Sequence, residues 1–219
     1  KTNGASERKK NSCLLLADYY RTIEHDMKLI VDLEATCWEI PKVPDLNEII
    51  DIGIVVTDDS YNILDSWTSF VRPRINTKLS SYCRKLTTIK QSDVDSAPYL
   101  AEVITSFHQW YLEKFNSTTK EVAWFTWGSW DLKCLTGDCF RNNIVLPFGE
   151  HRNLKDIYFV ERNCEKTDKL SVKEVLIREG IYFPDKLHRG LSDATATAKI
   201  AHAVYLSIGR DLIFVEKTT

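Results

Sequence analysis

Lys28-Leu-Ile-Val-Asp-Leu-Glu-Ala-Thr-Cys37 is a short apolar run that turns acidic before it ends. Its first part, Lys28–Leu33, has the length and composition of a buried strand. Residues i and i+2 of a strand point to the same side, so the carboxylates of Asp32 and Glu34 project together from one face. Two acids so placed repel each other, and a hard divalent cation with oxygen ligands is the usual offset. Acids at this spacing also arise by chance at solvated strand ends, so the triplet alone leaves both readings open.

Downstream of it, Ile49–Thr57 reads as a second buried strand and Ile63–Val71 as an alternating third, with turn residues at Asp58–Asn62 between them. That is a hairpin-linked meander. Ala97–Phe115 carries Leu100, Val103, Ile104, Phe107, Trp110, Tyr111 and Phe115 at three- and four-residue spacing, with Ser96 as the expected cap and Pro98 in the first turn, which predicts an amphipathic helix. Glu121–Gly128 reads as a fourth buried strand and Ser129–Phe140 as the helix after it, and further helices are expected at Leu154–Arg162, Ser171–Glu179 and Ser192–Ile208. Three early strands followed by strands alternating with helices predict an α/β fold, a mixed sheet flanked by helices.

Residues 1–26 differ from this pattern: a polar, basic start precedes a helical-looking stretch, Leu14–His25, and Met27, the only methionine, stands just before the first strand. The reading is one domain over 27–219, with 1–26 either a docked extension or an added leader. A chain of 219 residues, 43% hydrophobic and 27% charged, is long enough for one sizeable core and argues against disorder and repeat arrays. No apolar run approaches the roughly 18 residues of a membrane span, and Leu14–Ala17 is too short for a secretory core, so an intracellular protein, cytoplasmic or nuclear, is expected. The six cysteines, Cys13, Cys37, Cys83, Cys134, Cys139 and Cys164, show neither a CxxC pair nor zinc-finger spacing and read as reduced thiols, mostly in the core. With 29 Lys and Arg against 31 Asp and Glu, the formal charge of −2 makes no global case for a polyanionic partner. Such a partner would require a local basic patch and cations held by some of the acids.

Two further acids stand at element boundaries. Asp131 follows the fourth strand directly, where the bland reading is a helix N-terminal acid stabilised by the macrodipole. In His188-Arg-Gly-Leu-Ser-Asp193, Ser192 reads as an N-cap, Asp193 as a first-turn acid and Gly190 as the residue that permits a sharp turn into the helix. A capping role leaves His188 without a purpose.

The combination and order are more specific than any one of these signals. An Asp-x-Glu on the first strand, an Asp after a later strand, and a His five residues before an Asp at a late helix start resemble the DEDDh 3′-to-5′ exonucleases. Asp32-Leu-Glu-Ala-Thr-Cys37, Glu48-Ile-Ile-Asp-Ile-Gly53, Leu86-Thr-Thr-Ile89 with Gln91, Val94-Asp-Ser-Ala-Pro98, Gly128-Ser-Trp-Asp-Leu-Lys133, Asn153-Leu-Lys155 and His188-Arg-Gly190 resemble the Eri-type exoribonucleases in particular, relatives of enzymes that trim histone mRNA, small interfering RNA and ribosomal RNA ends. The similarity runs from about Leu29 to Leu206. Two positions depart from the pattern: Ser192 stands where an acid commonly precedes the catalytic one, and Ala196 replaces a frequent asparagine.

The resemblance implies an RNase H-like fold and release of nucleoside 5′-monophosphates from single-stranded RNA 3′ ends or overhangs. It implies Asp32, Glu34, Asp131 and Asp193 as ligands of two Mg²⁺ or Mn²⁺ ions and His188 as general base, a task that suits an imidazole whose ordinary pKa is about 6.5. Four carboxylates facing two divalent ions would also resolve the charge problem locally. For substrate binding, Thr36 and Cys37 follow the first acids closely, Trp38, Trp127 and Trp130 are candidates for base stacking, and Trp110 and Trp124 read as core. Lys155 and Arg189, with Arg84, Lys85, Lys90, Arg72 and Arg74, are candidates to grip backbone phosphates, though each alone also reads as a solvated surface charge. A DNA-directed or broad nuclease on the same fold is the alternative, and a non-catalytic nucleic-acid-binding module a second one, disfavoured because all five catalytic side chains are present.

Overall fold

The computed structural model describes residues 27–40, 46–165 and 170–214. The expectations for residues 1–26, including the Leu14–His25 helix, lie outside the described residues. Strands β1 (Lys28–Ala35), β2 (Ile49–Thr57) and β3 (Ile63–Phe70) form the meander; then come α1 (Ser81–Thr87), α2 (Gln91–Asp95), α3 (Leu100–Phe115), β4 (Trp124–Thr126), α4 (Trp130–Arg141), β5 (His151–Asn153), α5 (Leu154–Glu161), α6 (Val172–Arg178), α7 (Gly190–Ile208) and a final 3₁₀ turn, Leu212–Phe214. The five strands lie in the order β3-β2-β1-β4-β5. β1 is antiparallel to β2 and parallel to β4, so the expected mixed sheet is present.

The two-residue period of β1 divides the core. Leu29, Val31 and Leu33 face one layer, packed with Ile52, Ile54, Val103, Phe107 and Leu135. Ile30 faces the other, packed with Val55, Phe125 and the Ala194, Ala198 and Ala201 stripe of α7. By the same alternation Asp32 and Glu34 fall on the α7 side. Across the pair, Asp32 stands opposite Gly53 and Glu34 opposite Asp51. That side has no room for side chains at the crossing: a Cβ on Gly53 would lie 2.0 Å from the Gly190 carbonyl carbon, and one on Gly190 would lie 2.7 Å from the Gly53 nitrogen. Glycine at both positions therefore lets the start of α7 rest directly on the sheet beside the acids.

Several boundaries differ from expectation. α3 starts at Leu100 rather than Ala97, because the Tyr99 N–H is taken by the Glu102 carboxylate at 2.8 Å and the Pro98 carbonyl accepts from Arg72 N–H at 2.9 Å, which leaves Pro98 and Ser96 outside the helix. β4 is only Trp124–Thr126, limited by a turn from Thr119 to Val122 before it and by Gly128 at φ +104 after it. Ser192 is not the cap of α7: Arg189 holds that position, and the Ser192 hydroxyl donates instead to the Lys186 carbonyl at 2.7 Å. Gly190 serves close approach rather than a sharp turn; the left-handed residue there is His188 at φ +73. α1, α2 and β5 have no counterpart in the sequence reading, being too short to show a period. Among the described residues no helix is long and apolar enough to cross a membrane.

Candidate active site

β1 supplies two acids, the first turn of α4 a third and the first turn of α7 a fourth. Oxygens of Asp32, Glu34 and Asp193 all lie within 4.8 Å of one another. Asp131 stands beside them, 5% exposed, and its Oδ1 accepts from the Leu33 N–H on β1 at 3.1 Å, which fixes α4 against the strand. The launch of α4 is fixed in turn by Asn153, whose Oδ1 accepts from the Gly128 N–H at 3.0 Å and caps α5 through the Lys155 N–H at 3.1 Å. Thr126 adds a hydroxyl bond to the Gly128 carbonyl at 2.6 Å and lies 2.9 Å from His151 Nε2.

The electrostatics are those of crowded acids. Burial pushes Asp32 well above the usual carboxylate range, and Asp131, Asp193, Glu34 and Asp51 push it in the same direction. Burial, then the charges of Asp193, Asp51 and Asp131, raise Glu34 to about 8. Asp131 is raised to about 7 by burial, against the pull of the Leu33 amide. Asp193 is raised by burial and restrained by the amides of His188 and Arg189 and by the nearby His188 ring. Such a set, ionised, is unfavourable by itself and is the donor set that a hard divalent cation takes. The residues present therefore fit a divalent metal.

His188 is exposed and left-handed, an unusual backbone for a residue with a Cβ. Its N–H donates to Asp193 Oδ2 at 2.6 Å, and the Arg189 N–H donates to the same oxygen at 3.0 Å. One carboxylate thus holds the turn that presents the histidine.

The candidate substrate residues scatter over several environments. Thr36 is 2% exposed and its hydroxyl accepts from the Glu48 N–H at 3.0 Å. Cys37 is half-buried, its carbonyl accepts from the Ser80 hydroxyl at 2.6 Å, and its thiol meets that of Cys83. Trp38 is half-buried, and Trp130 is 48% exposed at the first position of α4, beside Asp131. Trp127 packs against Tyr158 and donates its indole N–H to the Leu170 carbonyl at 3.2 Å. Lys155 lies half-buried on α5 with its ammonium 5.5 Å from the Phe159 ring, while Arg84, Lys85 and Lys90 are exposed on and after α1. Arg72 and Arg74 stack on Tyr99, at 5.5 and 4.1 Å. Arg189 is paired: its Nε donates to Asp51 Oδ2 at 2.9 Å and its guanidinium lies 4.8 Å from the Phe70 ring. Sequence reasoning gives no role to Asp51, although it lies in the Glu48–Gly53 motif and is an acid inside an otherwise buried strand. Asn153 likewise has no role from its sequence motif; an Asn before a helical run is the signal for a cap.

Comparison with known proteins adds to this geometry. The profile of the RNase_T exonuclease family matches residues 29–201. The chain is 32% identical over 187 residues to the 3'-5' exonuclease Snipper of Drosophila melanogaster, covering 76% of this chain and 64% of that protein. It is 30% identical over 199 residues to the 3'-5' exoribonuclease 1 of Homo sapiens, covering 88% of this chain and 56% of that one. The chain thus spans between 28% and 65% of the length of the curated relatives it matches. Among solved structures, the nuclease domain of 3'hExo, a DEDDh family member bound to rAMP, superposes with a TM-score of 0.77 at 30% identity, covering 88% of this chain and 98% of that one. A 3'-exonuclease that recognises the histone mRNA stem-loop superposes with a TM-score of 0.75 at 28% identity, covering 85% and 84%. The mixed five-stranded sheet and its flanking helices are the RNase H-like exonuclease fold of these neighbours.

Proposed function

This chain belongs to the RNase_T exonuclease family, in its DEDDh, Eri-type branch, and on that premise we propose that it is a metal-dependent 3′-to-5′ exoribonuclease. Its products are nucleoside 5′-monophosphates, released from single-stranded RNA ends or 3′ overhangs. The observation that carries this reading is the convergence of Asp32, Glu34 and Asp193 within 4.8 Å at the point where α7 meets the sheet. The similarity to the human protein named an exoribonuclease supports RNA rather than DNA as the substrate.

Asp32, Glu34, Asp131 and Asp193 would hold two Mg²⁺ or Mn²⁺ ions. When bound, such ions neutralise charge at the phosphorus centre and make a water nucleophilic near neutral pH. The acids keep their places through the chain: Asp131 through the Leu33 amide, Asp193 through the amides of His188 and Arg189. His188, exposed at the edge of the cluster, takes the proton of the attacking water as general base. Trp130 and Trp38 offer faces for the terminal bases, and Lys155, Arg84, Lys85 and Lys90 offer charge to the phosphates. The hydroxyl of Thr36 serves Glu48, so Thr36 and Cys37 contribute the shape of the wall beside Glu34.

Digestion of 5′-labelled RNA, with and without EDTA, tests this. A ladder that shortens from the 3′ end and disappears with chelator is expected. Unchanged digestion in EDTA would overturn the metal reading, and a ladder on DNA but not on RNA of the same sequence would overturn the RNA assignment.

A further inference from the structure

One buried carboxylate beside the acid cluster has no part in the chemistry proposed for it. Asp51 lies opposite Glu34 in the β1–β2 register, is 1% exposed, and faces α7. Its Oδ2 accepts from Arg189 Nε at 2.9 Å and from the Gly190 N–H at 3.3 Å, and the Thr68 hydroxyl of β3 donates to Oδ1 at 3.5 Å. The Arg189 guanidinium is held a second time by the Phe70 ring, at 4.8 Å. Arg189 is the residue from which α7 starts, and it directly follows His188.

The turn is therefore held from two sides. Asp193 binds the backbone of His188 and Arg189, and Asp51 binds the Arg189 side chain and the Gly190 backbone. The close contact of Gly53 with Gly190 leaves the helix start no slack toward the sheet. A left-handed non-glycine backbone costs free energy and persists only where its surroundings over-determine it, and here the two clamps close on His188 and the two residues that follow it.

We propose that Asp51, acting through Arg189, is a positioning residue for His188: the pair fixes the start of α7 so that the imidazole stands at the acid cluster in one orientation. Arg189 is engaged in this and does not grip substrate phosphate. The inference rests on the reading of His188 as general base. Asp51 touches no reacting group; it acts because an arginine fork held by a carboxylate and an aromatic face has little freedom to turn.

The test uses the whole chain carrying Asp51→Asn, Arg189→Lys, His188→Ala, and each of the first two combined with the third. The protein has five histidines, so His188→Ala identifies the His188 ring resonance in a proton–carbon spectrum of the metal-free protein. In D51N and R189K that resonance is expected to move and broaden while the other four keep their positions. Turnover is expected to fall by about 10- to 100-fold, the size usual for losing a partner that orients a reacting group, with KM held within about twofold. In the H188A background neither substitution should cost anything more, because there is no ring left to position. Should D51N not fold, R189K, which keeps the charge facing Asp51, carries all three readouts.

An unmoved His188 resonance in both variants would overturn the proposal. So would full penalties in the H188A background, or a raised KM at constant kcat, which would put Arg189 on the substrate. Absence of any metal-dependent digestion by the wild type would instead remove the exonuclease reading, and the His188 resonance would still decide whether Asp51 orients the ring.

Discussion

Glu48 and Asp138 are as buried as Asp131 and Asp193, at 5% and 3% exposed against 5% and 9%, yet the chain provides for the two pairs differently. Glu48 accepts from the N–H groups of Arg74 at 2.7 Å, Ile75 at 2.9 Å and Asn76 at 2.5 Å, and so ties the loop after β3 to the start of β2. Asp138 accepts from the Ile49 N–H at 2.6 Å and from Arg141 at 2.7 Å. These are closed acids, with amide or guanidinium donors on both oxygens. In the cluster, by contrast, Asp131 and Asp193 each give one oxygen to backbone amides, and the principal influences on Asp32 are burial and other carboxylates. Burial of an acid thus says little about its task. What separates the two groups is whether the protein itself supplies the donors or leaves the charge for something else to meet.

The strongest way to break this contrast is to change an open acid. Asp32→Asn or Asp131→Ala is expected to lower the rate of 3′ digestion by about 10³-fold or more, since each removes several kcal/mol of transition-state charge stabilisation. Asp32→Asn should lower the melting temperature of the metal-free protein little, because it relieves like-charge crowding, whereas Asp131→Ala also leaves the buried Leu33 N–H without its acceptor, at a cost of about 1–3 kcal/mol. Digestion at the wild-type rate by D131A would refute the site.

Proton linkage gives the next largest effect. Glu34 rises from 4.5 to about 8 and Asp131 from 3.8 to about 7, so over that interval the folded chain keeps protons that the unfolded chain has already released. A raised carboxylate pKa contributes stability that is complete below the unfolded value and is lost as pH climbs through the folded one. Metal-free protein should therefore lose stability between about pH 4 and pH 8, the reverse of an ordinary salt-bridged acid. Saturating Mn²⁺ should restore it, by about 2.7 kcal/mol at a hundredfold excess over Kd, and more effectively at pH 8 than at pH 5. Melting curves in EDTA and in Mn²⁺ at the two pH values check this. Stability rising with pH in EDTA would mean that the cluster has donors within the chain after all.

The closed acids should answer in the opposite manner. Glu48→Gln and Asp138→Asn each disrupt a set of buried hydrogen bonds, at a cost of about 1–3 kcal/mol in denaturant unfolding. Below their lowered melting temperatures, both variants should digest RNA with kcat within about threefold of wild type, since neither residue meets the reacting groups. A Glu48 variant with normal stability and lost activity would place that carboxylate on the wrong side of the comparison.

Strand alternation puts Asp32 and Glu34 on one face, but Asp131 and Asp193 each read locally as helix N-terminal acids, and only the order of all four, through its resemblance to the DEDDh exonucleases, marks them as one set. The fold class was legible from local signals, apolar runs that keep one period over many residues. What the sequence hid depends on partners far along the chain. Thr36 meets Glu48, 12 residues away, and Arg189 meets Asp51, 138 residues away, so no local pattern separates an arginine that binds phosphate from one that braces a helix. β5 is three polar residues, His151–Asn153, that become a strand only because β4 lies alongside. The misplaced start of α7 has a similar origin. Ser192 is a better cap than Arg189 by side-chain preference, but Asp193 reaches back to the amides of His188 and Arg189 and draws the cap three residues earlier.

Ser192 also offers the finest test of where the open cluster ends. Its hydroxyl donates to the Lys186 carbonyl at 2.7 Å and so points away from the four acids and toward the preceding loop. Ser192→Asp introduces the acid that the resemblance to the DEDDh exonucleases implies at this position. The substitution removes a donor worth about 0.5–1.5 kcal/mol. It also places a negative charge in the first turn of α7, where the helix dipole returns about 0.3–1 kcal/mol. The two nearly cancel, so the melting temperature should move by only a few degrees. Because the new carboxylate replaces a group bonded to Lys186 rather than to the cluster, the digestion rate should stay within about threefold. A change above about tenfold, with a shifted Mn²⁺ dependence, would show that the position reaches the metal-binding acids and that the open group extends one residue further along α7.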